Sequence, residues 1–496
     1  MSDGRLSDMS EQNLKSSAVN GAIWTGVEKF SRQAVQFVIG IILARLLPPD
    51  DFGVIGMLAI FIAIAQTFTD SGLSSALIQK KDRTDVDCST IFFFNIGAGV
   101  LFYLLLFAAS PLIADFYGMP ILTDVTRVVA LSIVISGLTA VQNVRLTIDL
   151  RFRTLSLIAI ISMVVTGATG IVLAYKGWGV WALVFQTLAG QIVTSVCIWY
   201  CSRWMPKMEF STKSFKQLWG FGSNLLCSSL INTIYSNLYT LVIGKRFTSA
   251  EVGFYNRGNH FALLPAQTVQ DMAIKVNYPI LAKMQDDDER LLRAYKKLLT
   301  VPLYILYPVL VGMAVAAEPL VIVLIGEKWL PCVPIMQVLC IGYMFSPLTH
   351  INLNLLYVKG RTDLVLKLEF IKKSIAFLIL FATMPFGIIV MVIGRAIYCF
   401  IAFSFNCYYT GKILDYGEWK QLKILLPTFI NCAIMAVAIY LSMTPFHSPA
   451  LKLCVGIPVG ILSYWLYSVC TKDASYLEVL EIVKRKLLRK YDGYHV

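Results

Sequence analysis

The feature that most constrains this chain is a succession of long apolar stretches separated by short polar connections. About 20 largely apolar residues cover about 30 Å of hydrocarbon, and by that rule the chain holds about fourteen spans. The first six run roughly 20–46, 52–78, 88–114, 122–145, 155–175 and 178–202; the next six run roughly 215–244, 252–281, 294–317, 332–357, 362–383 and 386–410; the last two run roughly 421–442 and 449–470. A segment in hydrocarbon must satisfy its backbone N–H and C=O groups internally, and runs of this length do so as helices. An all-α polytopic membrane protein of about 14 transmembrane helices is therefore expected. With 57% hydrophobic and 15% charged residues, the chain has too little polar surface to cover a soluble globule. Its net charge of +13 would suggest nucleic acid in a soluble protein, but here Lys and Arg lie mainly between the apolar runs, where they set topology. No nucleic-acid partner is expected.

One connection stands out. Leu43 to Gly56 reads LARLLPPDDFGVIG, an apolar run that ends at Arg45, turns through Pro48, Pro49, Asp50 and Asp51, and restarts at Phe52. It returns as Ile243 to Tyr255, IGKRFTSAEVGFY, with Lys245 for Arg45, Glu251 for Asp51 and Gly253 for Gly53. Further matches follow: Ser110-Pro111-Leu112-Ile113 with Glu318-Pro319-Leu320-Val321, Gly137-Leu138-Thr139 with Pro347-Leu348-Thr349, Arg153-Thr154 with Arg361-Thr362, and Trp178-Gly179-Val180 with Phe386-Gly387-Ile388. The offset drifts only from 200 to 210, so a duplication of six spans is expected. Six is even, which makes the halves parallel repeats, as in transporters that alternate access to a central site. Spans 13 and 14 stand outside the repeat and are candidates to hold a lipid tail. The expected organisation is a tail at 1–17, lobes at 18–205 and 206–411, the extra pair at 412–471, and a basic tail at 472–496.

Counting both termini, 28 basic residues fall on one side of the membrane and about seven on the other, which places both termini in the cytoplasm. No cleaved signal peptide is expected. From Ala474 to Lys490, Tyr476, Leu477, Leu480, Val483 and Leu487 recur at helical spacing among Lys and Arg, a pattern suited either to a helix on an anionic leaflet or to a solvated basic tail. Most of the eleven cysteines lie inside apolar runs without metal-ligand spacing, and no metal or cofactor is expected.

Ionisable residues within spans are functional candidates, because each costs several kcal/mol unless it meets water or a partner. Span 1 carries Glu28, Lys29, Arg32 and Gln36, either a cavity-facing stripe or a Glu28–Arg32 pair that fixes packing. Span 8 carries Asn256, Asn259, His260, Gln267, Gln270, Asp271 and Lys275 at three- and four-residue steps. Asp70 in span 2 falls beside Gln270 and Asp271 at the offset of 200. Glu28, Asp70 and Asp271 are candidate ion-coupling acids, a salt bridge such as Asp271–Lys275 being the other reading. Span 7 offers Asn224, Asn232, Tyr235, Asn237 and Tyr239, suited either to sugar hydroxyls or to neighbouring helices. In span 11, Lys367, Glu369, Lys372 and Lys373 invite snorkelling to the interface, and Arg395 in span 12 lies deeper. Arg32, Lys275 and Arg395, with Arg45, Lys245 and Arg257 at the outer rim, would form a cationic chamber for an anionic cargo such as a pyrophosphate.

There is no P-loop, GxSxG, HExxH or Cys/His cluster. Asp50 and Asp51 occupy the loop where polyprenyl-dependent glycosyltransferases keep catalytic acids, but the loop is short, and they read as helix-start acids. The hairpin LARLLPPDDFGVIG, the first span GAIWTGVEKFSRQAVQF and the segment GLSSALIQKKD resemble the polysaccharide transporter, or oligosaccharide flippase, family of the multidrug/oligosaccharidyl-lipid/polysaccharide exporter superfamily, closest to its colanic and teichuronic acid exporters. The resemblance implies two six-helix lobes in a V around a cavity lined by helices 1, 2, 7 and 8, with two helices appended. It implies movement of undecaprenyl-pyrophosphate-linked oligosaccharide across the bacterial cytoplasmic membrane, the cargo and membrane lipids being its partners and polysaccharide polymerase and glycosyltransferases further candidates, with no enzymatic activity. A drug exporter of the same superfamily, or a membrane glycosyltransferase or polymerase, is the alternative.

Overall fold

The computed structural model describes residues 33–70, 72–272, 278–473, 475–481 and 484. Every described element is helical, with two short 3-10 turns and no strand among these residues. Eleven of the described helical segments are long and apolar enough to cross a membrane. Three more helices miss that standard for identifiable reasons. Helix α1, Gln33–Leu46, is described over too few residues. The helix Ser249–Met272 is too polar, and Thr362–Thr383 carries Lys367, Glu369, Lys372 and Lys373.

The chain divides into two compact units, Met1–Gly253 and Phe254–Val496. In the first, α1 is followed by α2 (Pro49–Asp70), α3 (Leu73–Gln79), α4 (Asp85–Tyr117), α5 (Ile121–Val129), α6 (Leu131–Ile148), α7 (Phe152–Tyr175), α8 (Val180–Ser202) and α9 (Thr212–Arg246). Helix α10, Ser249–Met272, begins in this unit and continues into the second. There follow α11 (Tyr278–Ala282), α12 (Asp288–Val315), α13 (Ala317–Ile325), α14 (Cys332–Tyr343), α15 (Ser346–Val358), α16 (Thr362–Thr383), α17 (Ile388–Leu414), α18 (Glu418–Met443) and α19 (Pro449–Thr471).

The hairpin has the form its residues dictate. Pro49 opens α2, Asp50 and Asp51 lie in the first turn, and their charge complements the helix dipole. The second hairpin meets the first. Ser249 Oγ lies 2.6 Å from Asp50 Oδ1, and the starts of α2 and α10 cross in van der Waals contact. A Cβ at Gly53 would overlap the carbonyl group of Ser249, and one at Gly253 would overlap that of Pro49. Each glycine thus packs on the residue four places before its counterpart in the other hairpin. The close approach requires both to lack a side chain.

At the opposite end of this unit, polar groups clamp the helices. Thr84 and Asp87 form a capping box at the start of α4, and Lys80 Nζ lies 2.7 Å from the buried Asp87 carboxylate. Arg145 bonds Asp85 at 3.0 Å and covers the Trp204 ring, whose indole N–H also reaches Asp85. The segment leading into α9 is pinned by backbone N–H groups of Lys207 and Ser211, which donate to Ser89 and Thr90. Helix α9 therefore packs with α2, α3 and α4, burying Leu218 against Leu73, Leu77, Ile91 and Phe92. Gly72, at the start of α3, takes a left-handed conformation.

In the second unit, buried hydrogen bonds join helices that apolar contact alone would leave free to slide, since lipid tails are as apolar as the side chains. Tyr295 donates to Asn352, which exchanges bonds with Gln421, tying α12, α15 and α18. Tyr304 donates to Ser468 at 2.5 Å, Asn431 reaches the same hydroxyl, and Tyr464 donates to the Tyr304 carbonyl, so α18 and α19 are fastened to α12.

The crossing makes a direct prediction. Gly53→Ala should lower the thermal stability of the purified protein by several degrees, because backbone must move. Gly97→Ala on α4, whose Cβ would meet nothing within 4 Å, should be neutral or gain about 0.5–1 kcal/mol of helix propensity. Equal melting temperatures for the two variants would refute the crossing.

Candidate functional site

Helix α9 is the clearest candidate surface in the first unit. Its 35 residues contain no acid and no histidine. Asn224, Ser228, Asn232 and Ser236 follow one another at four-residue steps and therefore share a face. All four are exposed, whereas Leu218, Gly222 and Leu226 on another face are buried. A ladder of amides and hydroxyls this long is costly against lipid, which makes this face the candidate to border water. The sequence could not separate this ladder from its neighbours. Ser236 and Asn237 both donate to the Thr233 carbonyl of their own helix, at 3.0 and 2.9 Å, Asn237 being half-buried, and Tyr239 is buried and belongs to helix packing. Ser228 and Ser236 were not singled out by the sequence; the four-residue spacing was the available signal.

Gln36 and Asp70 are exposed, Asp70 at the last residue of α2. Arg45 and Lys245 are exposed at matching positions of the two hairpins. Lys245 Nζ donates to the Phe116 carbonyl at 2.5 Å and lies 4.4 Å from the centre of its ring. Glu28, Lys29, Arg32 and Lys275 lie outside the described residues.

In the second unit, α10 divides its polar residues between packing and exposure. Asn259 accepts from the Tyr343 hydroxyl at 2.5 Å, and Gln270 donates to Ser346 at 2.7 Å. His260 and Gln267, two turns apart on one face, are exposed, and Asn256 and Asp271 are half-buried. Arg257 lies 5.3 Å from the Trp329 ring centre. Arg395, seven residues into α17 and so about 10 Å along its axis, donates to the Tyr255 hydroxyl and lies within 6 Å of the Tyr255 and Tyr343 ring centres. A cation at this depth is stabilised by ring faces as well as by hydrogen bonds, an arrangement worth about 2 kcal/mol when desolvated. Tyr255 and Tyr343 were missed by sequence reading, because tyrosine in an apolar run carries no positional signal. Lys372, one of the four charges for which snorkelling was considered, is buried, its Nζ 2.5 Å from the partly exposed Glu369 carboxylate.

The second unit also contains an apolar groove of about 510 Å³ between α12, α13, α18 and α19. Pro308, Gly312, Met313, Ile439, Gly460 and Trp465 contribute to its wall. Gly312 leaves its space open, a Cβ there meeting only Ile439 at 4.0 Å. Tyr476 and Val479, from the helical segment 475–481, also line it, and that segment is held to α12 by Thr300 and Lys297 contacts to Glu478.

With this geometry in view, the chain was compared with known proteins. A family model described as "Polysaccharide biosynthesis protein" matches residues 42–334. The chain is 26% identical over 480 residues, 95% of its length and 98% of the relative's, to the teichuronic acid biosynthesis protein TuaB of Bacillus subtilis. It is 28% identical over 366 residues, 73% of this chain and 74% of the relative, to the lipopolysaccharide biosynthesis protein WzxC of Escherichia coli. Among solved structures it is similar to the lipid II flippase MurJ in an inward closed conformation, with a TM-score of 0.73, 16% identity and coverage of 91% of this chain and 99% of the other. It is also similar to an inward-facing multidrug MATE transporter, with a TM-score of 0.58, 15% identity and coverage of 78% and 96%. These likenesses establish the fold class, a helical membrane protein of the MurJ and MATE type.

The ladder on α9 is testable without a substrate. In a variant lacking the eleven native cysteines, Asn232→Cys and Ser228→Cys should react readily with a charged, membrane-impermeant thiol reagent in opened vesicles, and Leu226→Cys should not. Equal protection of all three would show that the ladder does not border water.

Proposed function

The chain belongs to the polysaccharide biosynthesis protein family, and from that premise we propose that it is a flippase that moves a lipid-linked oligosaccharide across a bacterial cytoplasmic membrane by alternating access. One observation carries the proposal: the spans combine an exposed ladder of neutral hydrogen-bonding groups on α9 with a 510 Å³ apolar groove beside α12. A cargo that needs both has a hydroxyl-rich head and a long hydrocarbon tail. Amides and hydroxyls match sugar hydroxyls as donors and acceptors, and the groove suits prenyl chain.

In this reading α1, α10 and α16 also cross the bilayer and, with the eleven apolar helices, make fourteen spans. The spans form parallel six-helix repeats with lobes at 18–205 and 206–411, followed by the pair in 412–471 and the tail at 472–496. Both termini are cytoplasmic, following the basic bias of the connections. Arg32, Lys275 and Arg395 bind the pyrophosphate, and Arg45, Lys245 and Arg257 draw it from the rim. Glu28, Lys29, Gln36, Asn232, Asn256, Asn259, His260, Gln267 and Gln270 line the path. Asp70, Asp271 and Glu28 are the candidate acids for ion coupling. The chain has no catalytic role of its own; polymerase and glycosyltransferases act on what it delivers. Drug export is the second reading, and the absence of any acid on α9 weighs against an acid-lined pocket for cationic drugs.

The test is leaflet transfer of labelled undecaprenyl-pyrophosphate oligosaccharide by the purified protein in proteoliposomes. Arg32→Ala and Lys275→Ala should each reduce transfer about tenfold, the loss of one charge-assisted hydrogen bond of roughly 1.5 kcal/mol. Gly312→Trp, at a position where a Cβ meets only Ile439 at 4.0 Å, should narrow the groove and reduce transfer of long-chain cargo more than of a short-chain analogue. Full transfer by correctly inserted Arg32→Ala and Lys275→Ala variants would sink the cationic reading, and sugar incorporation without transfer would replace it with an enzyme.

A further inference from the structure

We propose that one rim of the first unit holds an anionic phospholipid of the bilayer, its phosphate at Arg153 and Arg203 and its two acyl chains along the exposed faces of α7 and α8. The inference goes beyond the transport reading and borrows from it only the leaflet, which the proposed topology makes the inner one.

Helices α7 and α8, both long and apolar enough to cross a membrane, run antiparallel and pack closely over their length. Arg151 Nη1 donates to the Cys201 carbonyl at 3.0 Å, Ser162 Oγ donates to the Gly190 carbonyl at 2.7 Å, and a Cβ at Gly170 would overlap the Gln186 side chain. Each helix turns an apolar stripe outward at three- and four-residue steps, Leu157, Ile161 and Val164 on α7 and Ile192 and Val196 on α8. Followed toward the Arg151–Cys201 contact, both stripes end in an exposed arginine. Arg153 lies one turn before Leu157, and Arg203 follows Val196 by two turns with the exposed Tyr200 between them.

Charge is concentrated where the stripes end. The connecting residues 149–153 and 203–211 hold Arg151, Arg153, Arg203 and Lys207 against Asp149 and Glu209. At the other end of the same helix pair, residues 176–179 contribute one cation, Lys176. Leu150 and Arg203 are exposed in the left-handed conformation, with φ of 53° and 51°, where glycine would be unstrained. These two turns therefore hold out an apolar side chain and a guanidinium at a conformational cost.

The chemistry of the ligand follows from this arrangement. Guanidinium groups bind phosphate oxygens through paired hydrogen bonds, and tyrosine favours the headgroup level of a membrane. Half of a 30 Å hydrocarbon core is about 15 Å, or about ten residues of helix. Measured from the arginines, that depth takes in Leu157 to Val164 on α7 and Val196 to Ile192 on α8. Two stripes beside one phosphate site fit a diacyl lipid, whereas a polyprenyl cargo has a single chain. The net positive charge selects an anionic headgroup over a zwitterionic one.

The experiment uses the full-length protein in phosphatidylcholine vesicles that contain a minor share of brominated phosphatidylglycerol or, in parallel, the same share of brominated phosphatidylcholine. A bimane fluorophore on Ile192→Cys, in the background without native cysteines, reports bromine at the α8 stripe. Brominated phosphatidylglycerol should quench as though enriched about fivefold over its bulk share, the equivalent of about 1 kcal/mol for one basic residue at an anionic surface. Arg153→Gln with Arg203→Gln should abolish the excess; if that double variant is not recovered, each single variant should lower it. Lys420→Gln with Lys423→Gln removes equal charge at the start of α18 and should leave the excess unchanged. Equal quenching by the two lipids, an excess that survives the arginine changes, or one that the lysine changes also abolish would each overturn the proposal. Displacement by added undecaprenyl phosphate would assign the arginines to a polyprenyl lipid and overturn it equally.

Discussion

In hydrocarbon no water is at hand to satisfy a polar group, and that single constraint arranges this protein. Each amide, hydroxyl or charge inside a span either finds a partner on a neighbouring helix or lies where water reaches it. The Tyr295–Asn352–Gln421 and Tyr304–Ser468–Asn431 networks illustrate the first outcome, and they hold α12, α15, α18 and α19 in register. The exposed face of α9 from Asn224 to Ser236 is where the second is proposed. Function is legible in this fold because the two outcomes can be told apart residue by residue.

The groove extends the same logic to the cargo. Helices α18 and α19 are fastened to α12 through polar groups set beside an otherwise apolar wall, so the groove keeps its width without being filled. A long hydrocarbon chain entering it leaves one apolar medium for another and gains mainly dispersion contact. Under the proposed function such a site would bind a tail weakly, which suits a carrier that must also let go.

Much of this was written in the sequence, and what was not has a physical reason. Eleven of the expected spans are helices long and apolar enough to cross a membrane, because length and apolarity are legible in sequence. The hairpins were recognised as a pair at Gly53 and Gly253, yet their crossing was not foreseeable, since contact between distant segments leaves no periodic trace. The left-handed turn at Gly72 was not foreseen, although Asp70, Ser71 and Gly72 are residues that favour turns. On α9, composition identified the polar residues, while the rotation that exposes Asn232 and buries Tyr239 is set by packing against α2 and α3. Lys372 shows the opposite failure: a lysine near an interface suggests snorkelling, and only the position of Glu369 turns it inward.

The polarity of α16 bears on how the chain enters the membrane during synthesis. Lys367, Glu369, Lys372 and Lys373 would each oppose insertion of that helix alone, by about 2.5–3.5 kcal/mol for a charge near the bilayer centre. Pairing Lys372 with Glu369 removes part of the opposition within the helix itself. The rest is offset by α17, a strongly apolar span that follows directly after the turn at Gly387 and packs along α16. If α16 crosses the bilayer as proposed, the helical hairpin of α16 and α17 would be the unit of insertion.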